Sequence, residues 1–218
     1  MGHAQCRMRL IRTPPLKSIS DASGERRVEL LVPTRNRHES IARSLPSWRA
    51  GALPVILCDQ SALPYPLPGT LHHPDLNGLP AARNVLLRAS AADIVVFLDD
   101  DTDLAADFIE KLHSCIARWP DAAGWGPVLE LRSRAVRRLH RLVHLGCFHD
   151  PRRLTGARID GSTSALFGAC FAVRRDLALA IGFDARRPGY ALGEDHDFCQ
   201  RLRTAPIHSS AGSQKLNS

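Results

Sequence analysis

The stretch Asp93-Ile94-Val95-Val96-Phe97-Leu98-Asp99-Asp100-Asp101-Thr102-Asp103 falls into two halves of opposite character. Residues 94–98 are a continuous apolar run, rich in β-branched side chains and bounded by charge. That is the pattern of a parallel strand buried on both faces. Asp99, Asp100, Asp101 and Asp103 then put four carboxylates within five positions at the strand's C-terminal end. In open α/β sheets ligands bind at that end. Carboxylates packed so closely repel one another unless positive charge lies among them, and a hard divalent cation is a natural partner. The competing explanation is a helix N-terminus, with Thr102 or Asp103 capping a helix that starts near Leu104. A cap needs one acid and not four, so the cation-binding explanation is preferred.

Outward from this stretch the same pattern of a strand running into polar residues recurs. Val28 to Val32 is a short buried strand followed by Pro33-Thr34-Arg35-Asn36-Arg37. A helix is expected over 39–49 with Ile41, Leu45 and Trp48 on one face, kinked or shortened by Pro46. Val55 to Cys58 is a second strand that runs into Asp59-Gln60-Ser61. Prolines at 64, 66 and 68 exclude a helix after it, and a weak strand lies near 70–72. Pro80 suits the first turn of a helix running to about Ala91.

Beyond the acidic cluster the spacing predicts a helix over 105–118, a strand over 126–131 and a basic amphipathic helix over 135–145. Further on come a strand at 168–173, a short helix at 176–181 and a helix opened by Gly193-Glu194-Asp195-His196-Asp197. Alternation of strand and helix in the first half predicts an α/β fold with a mostly parallel central sheet and helices on both faces. Residues 1–27 are expected to be a mobile basic tail, 28–205 one domain and 206–218 a polar tail.

Composition narrows the function classes. No apolar run approaches the roughly 20 residues that span a bilayer, and Met1 to Glu25 lacks the apolar core of a secretory signal. A cytoplasmic location is expected, with peripheral contact at the inner face of the membrane as a refinement. The six cysteines are dispersed without a CxxC pair, which argues against zinc or a disulfide framework. A net charge of +7 favours phosphate-bearing partners or anionic surfaces. The basic cluster Arg132, Arg134, Arg137, Arg138 and Arg141 has no interleaved aromatics and no recognisable nucleic-acid module surrounds it, so nucleic acid is not an expected partner.

Thr34 and Asn36 follow the first strand, Asp59 the second, and Asp99 to Asp101 the central one. In a parallel sheet these residues meet along one edge. Turn chemistry explains any one of them but not all three together. A metal-dependent nucleotidyltransferase would want a glycine-rich phosphate loop after the first strand, and Pro33-Thr34-Arg35-Asn36-Arg37 has no glycine.

These pieces resemble the family 2 glycosyltransferases of the GT-A fold, the inverting group that uses nucleotide-diphosphate sugars. The matching segments are Val32 to Arg37, Cys58 to Ser61, Gly78 to Asn84, Phe97 to Asp101, Gly168 to Arg175, Gly182 to Asp184 and Gly193 to Asp197. Each is weak alone; in the family's order they form a strong signal. The resemblance implies a nucleotide-binding first half and an acceptor-side second half. It implies that Pro33, Thr34, Asn36, Asp59, Arg83, Asp99 and Asp100 serve the nucleotide sugar, with Asp59 accepting from a ring nitrogen of the base. Asp99 and Asp101 match the ends of the DxD motif and would hold Mg²⁺ or Mn²⁺ against the diphosphate. Asp195 matches the general base that takes the acceptor hydroxyl's proton, with Glu194 beside it. The expected acceptor is a glycan, lipid-linked or other hydroxyl, as in cell-wall or polysaccharide biosynthesis. Family members usually continue past this helix with another strand and a metal-binding histidine. Here a polar segment with His208 follows, so the alternative is a shortened nucleotide-sugar-binding domain without turnover.

Overall fold

The computed structural model describes residues 8–12, 26–127, 166–186 and 191–204. One seven-stranded sheet organises them, in the order β1-β6-β7-β5-β2-β3-β4. Its strands are β1 (Met8–Arg12), β2 (Val28–Thr34), β3 (Val55–Asp59), β4 (Leu71–His72), β5 (Ile94–Leu98), β6 (Ala122–Pro127) and β7 (Cys170–Arg174). The helices are α1 (His38–Ala50), α2 (Leu79–Ala89), α3 (Phe108–Arg118), α4 (Arg175–Ile181) and α5 (Glu194–Thr204).

β5, β2, β3 and β4 pair in parallel. β7 runs antiparallel to both β5 and β6, and β1 antiparallel to β6. Only β1 and β7 therefore oppose the common direction, so the expected mostly parallel sheet with helices on both faces is present.

Pleating divides the apolar runs between two cores. Leu30, Val32, Ile94, Val96 and Leu98 point to one face, where α1 adds Ile41, Leu45 and Trp48 and α3 adds Phe108, Leu112 and Ile116. Leu31, Val95, Phe97, Phe171 and Val173 point to the other, covered by Leu86 and Leu87 of α2, Ala178 of α4, and Phe198 and Leu202 of α5. Burial on both faces is why β5 has no polar residue between Ile94 and Leu98.

Three local expectations change. Residues 8–12, assigned to a mobile tail, form an edge strand, because pairing with β6 satisfies a backbone that no apolar pattern announces. α1 runs past Pro46 to Ala50 and is not shortened. α3 begins at Phe108, with Asp107 at its N-cap, so Thr102 and Asp103 do not cap it and the acidic cluster is a loop in its own right. The continuation of β6 beyond Pro127, the basic helix at 135–145, and His208 in the polar tail lie outside the described residues. Among the described residues no helix is long and apolar enough to cross a membrane.

Candidate active site

The parallel register sets the site. Thr34 lies opposite Asp59 at the ends of β2 and β3, and β5 delivers Asp99 to Asp101 beside them. The Thr34 hydroxyl donates to Asp100 Oδ2 at 2.7 Å, which joins the first and central strand ends. Asn36 adopts a left-handed φ of +56°, a conformation that asparagine tolerates better than most residues, and its N–H donates to Ser61 Oγ. Helix α1 fixes the acidic loop from the side. Ser44 donates to Asp103, Trp48 Nε1 donates to the Thr102 carbonyl, and Leu104 N–H donates to Ser47 Oγ.

Pro33, Thr34, Asn36 and Asp59 thus share one edge, but not in equal exposure. Pro33 and Thr34 are buried and Asn36 is exposed. Asp59 is fully buried. Its carboxylate accepts from the N–H groups of Ser61 and Tyr65, at 2.8 and 2.7 Å, and faces His38 Nε2 at 3.2 Å. Burial pushes this carboxyl up, and the hydrogen bonds outweigh it, holding Asp59 below the usual carboxylate range. His38 in turn stands edge-on to the Tyr65 ring.

The acidic loop meets an arginine from each side. Arg37 reaches Asp101 Oδ2 at 2.5 Å and Asp100 Oδ1 at 3.3 Å. Arg83 lies behind the loop and is 1 % exposed, among the rings of Phe97, Phe171 and Phe183. It pairs with Glu194 Oε1, donates to the Gly168 carbonyl at 2.8 Å, and stands 3.6 Å from Asp99 Oδ1. Through Arg83 the two acidic segments, remote in sequence, become neighbours.

α5 opens with the second acidic pair. Gly193, at φ +83°, turns the chain into the helix, a backbone state that glycine takes without strain. Glu194 points inward, and among the described residues no hydrogen-bond partner reaches its Oε2. Asp195 accepts from Gly168 N–H at 2.9 Å and from His196 N–H at 2.8 Å. A Cβ at Gly168 would stand 2.9 Å from Asp195 Oδ2, so a side chain there would push the Asp195 carboxylate aside. Asp99 N–H donates to the neighbouring Ala169 carbonyl, so one short segment leading into β7 touches both acidic elements.

Burial dominates the electrostatics. It pushes Asp99 up to about 6; Arg83 opposes, and Asp101 and Asp100 add to the rise. Glu194 is likewise pushed up to about 6 by burial, against Arg83 and with Asp195. Burial raises Asp100 too, although the Thr34 hydroxyl and Arg37 pull the other way.

The donor set offered to a metal is oxygen alone, the chemistry of Mg²⁺ and Mn²⁺. Among the described residues no group of three His, Cys, Asp or Glu is arranged to hold an ion. Two carboxylates with the rest of the shell from phosphate and water is the usual Mg²⁺ arrangement in nucleotide enzymes, and the oxygen chemistry of Asp99 and Asp101 is compatible with it.

The sequence motifs placed Asp59 and Asp99 to Asp101 on one edge, but they did not mark Arg37 and His38 as site residues. The signal for Arg37 was present: four acids demand a nearby cation, and Arg37 follows the adjacent strand.

A sheet whose acidic loop ends the central strand, with a second acidic pair on a helix beyond it, has the GT-A fold of glycosyltransferases. A family model described as glycosyl transferase family 2 matches residues 29–182, and the chain belongs to that family. It is 30% identical over 194 residues to a pre-mycofactocin glycosyltransferase of Mycobacterium tuberculosis, an alignment covering 81% of this chain and 39% of the relative. The chain thus spans about two fifths of the length of the curated relatives it matches. Among solved structures it is similar to the mannosyltransferase PcManGT from Pyrobaculum calidifontis in complex with GDP-Man and Mn²⁺. That match has TM-score 0.55 and 19% identity, and covers 83% of this chain and 52% of the other. S. aureus TarS 1-349 matches with TM-score 0.58 and 16% identity, over 81% of this chain and 55% of that one. TarS 1-349 in complex with UDP-GlcNAc matches with TM-score 0.54 and 15% identity, over 81% and 53%.

Proposed function

We propose that the chain transfers a sugar from a nucleotide-diphosphate donor to an acceptor hydroxyl with inversion, using Asp195 as general base. The observation that carries this reading is the meeting, across Arg83, of the Asp99–Asp101 loop with the Glu194-Asp195 helix start. An inverting displacement needs those two elements at once: a polar seat for the leaving diphosphate and a carboxylate on the acceptor side.

The nucleotide would lie along the edge formed by Pro33, Thr34, Asn36 and Asp59. Recognition of the base at Asp59 would call for His38 to leave its carboxylate, which is fully buried beside that ring. Asp100, held by Thr34, would shape the floor beneath the ribose. Asp99 and Asp101 would hold Mg²⁺ or Mn²⁺; when bound, the ion supplies Lewis-acid stabilisation of charge on the departing nucleoside diphosphate. Asp195 is oriented by the Gly168 N–H and would remove the acceptor's proton as its oxygen attacks the anomeric carbon. Glu194 faces Arg83 and so acts by fixing α5 and Arg83. The related proteins solved with GDP-Man and UDP-GlcNAc support a nucleotide-sugar donor as the substrate class. A hydroxyl of a glycan or of a lipid-linked sugar is the acceptor class, handled at the inner face of the membrane or in the cytoplasm.

The test is Asp195→Asn assayed with UDP- and GDP-sugars and Mn²⁺. Loss of the general base should cost roughly 10²- to 10⁴-fold in turnover, while thermal shift by UDP or GDP stays at the parental value. Turnover that survives the substitution would sink the assignment. A parent chain that binds nucleotide and turns over no donor would leave a binding domain.

A further inference from the structure

Arg37 carries no role in the reading above, yet it is the cation in contact with the acidic loop from the solvent side. Its guanidinium spans two carboxylates, Asp101 at 2.5 Å and Asp100 at 3.3 Å. Asp101 is one of the two oxygen donors that fit a divalent ion, so Arg37 and that ion compete for one group. The longer contact reaches Asp100, which is 6% exposed; the shorter one is exchangeable by its surroundings, since the side chains of Arg37 and Asp101 are each 48% exposed. Ion pairs in such settings are weak.

The backbone leading into Arg37 is fixed, with Asn36 N–H held by Ser61 Oγ at 2.7 Å. Arg37 also forms the N-cap of the thirteen-residue α1, so any rearrangement is confined to its side chain. α1 begins at the same point, and its dipole adds positive potential there. A planar guanidinium with two parallel donors matches a phosphate as well as it matches a carboxylate.

We propose that Arg37 is an exchangeable cation. It neutralises Asp101 and Asp100 in the donor-free protein, and turns to the donor's diphosphate when a divalent ion occupies the carboxylates. The proposal rests on the metal-assisted reading of the site. It makes Arg37 a donor-binding residue whose two partners alternate, which protects the loop from self-repulsion between turnovers.

The experiment uses the full chain and measures binding directly. Free Mn²⁺ is followed by electron paramagnetic resonance, first with no nucleotide, and calorimetry then measures UDP and GDP in saturating Mn²⁺. Arg37→Gln should bind Mn²⁺ alone roughly fivefold more tightly, since a competing charge is gone. The same variant should bind the nucleoside diphosphate roughly tenfold more weakly, since a charge-assisted contact is lost. Opposite signs are the signature, because damage to the loop would weaken both. Arg37→Lys should return Mn²⁺ affinity to the parental value and only partly restore the nucleotide. Unchanged affinities in Arg37→Gln, or a loss of both, would overturn the proposal while leaving the metal site standing, provided Asp101→Asn abolishes Mn²⁺ binding. If the parent and Asp101→Asn bind Mn²⁺ and nucleotide alike, the metal-assisted reading fails and this proposal fails with it.

Discussion

Arg83 and Arg37 approach the same run of carboxylates from opposite sides, in settings that share little. Arg83 is 1 % exposed, enclosed by three phenylalanine rings and paired with Glu194, itself 6% exposed. Arg37 is 48% exposed and pairs with an aspartate equally open to water. The contacts look similar on paper, but their energetics differ in kind. A buried pair has lost its hydration, so either partner left alone is costly. An exposed pair can trade partners or water at little cost. The first therefore works as a fixed strut between α2, β7 and α5; the second suits a group that must move.

The sharpest way to break this comparison is Arg83→Met. It leaves Glu194 and Asp99 without their buried counter-charge, and the expected loss of stability is about 3–5 kcal/mol in urea unfolding. Arg83→Met/Glu194→Gln should recover a sizeable part of it, because the uncompensated charge has gone with its partner. A single variant that unfolds like the parent would mean that the guanidinium is hydrated after all, and the distinction between the two arginines would collapse.

A smaller effect tests whether burial or pairing dominates at Glu194. Burial lifts this carboxyl from 4.5 to about 6 despite Arg83. Between those values the native state binds more protons than the unfolded chain. This group's contribution to stability is therefore present in full below about 4.5 and lost as pH rises through 6. A shift of that size corresponds to about 2 kcal/mol. Unfolding measured at both ends of the window should show the parent losing about that much more than Glu194→Gln. Equal losses would place Glu194 in an ordinary, hydrated setting.

The same contrast explains what the sequence disclosed. The parallel core was legible because Ile94 to Leu98 is apolar on both faces and Val28 to Val32 is apolar but for Glu29, and each ends in polar residues. Asp59 and Asp99 to Asp101 followed from strand direction; Glu194 and Asp195, on a helix start, came only from the family resemblance. β1 was not legible, since Met8–Arg12 becomes a strand through its pairing with β6 and carries two arginines. Nor was the burial of Arg83. It sits on α2 next to Ala82, a residue of the apolar face, and its fate depends on Asp99, Glu194 and Phe171, which arrive from three other segments. Asp59 was found, but its contact with His38 depends on where α1 starts and could not be read from spacing. Sequence pattern shows which residues share an edge; which of them are shut away is settled by tertiary packing.

Arg37→Gln should have the smallest effect on folding, and salt makes it informative. Loss of the exposed pair is expected to change stability by no more than about 1 kcal/mol in low salt. Its contact with Asp101 is open to counter-ions, so that difference should shrink at 1 M NaCl, where the screening length is roughly 3 Å. The cost of Arg83→Met should persist at the same salt, because ions do not enter among Phe97, Phe171 and Phe183. Urea unfolding of both variants at two salt concentrations provides the check. If the Arg37 difference proved large and resistant to salt, its contact with Asp100 would outweigh the one with Asp101. Asp100 is 6% exposed, so Arg37 would then be a second strut, unable to leave the loop for a donor.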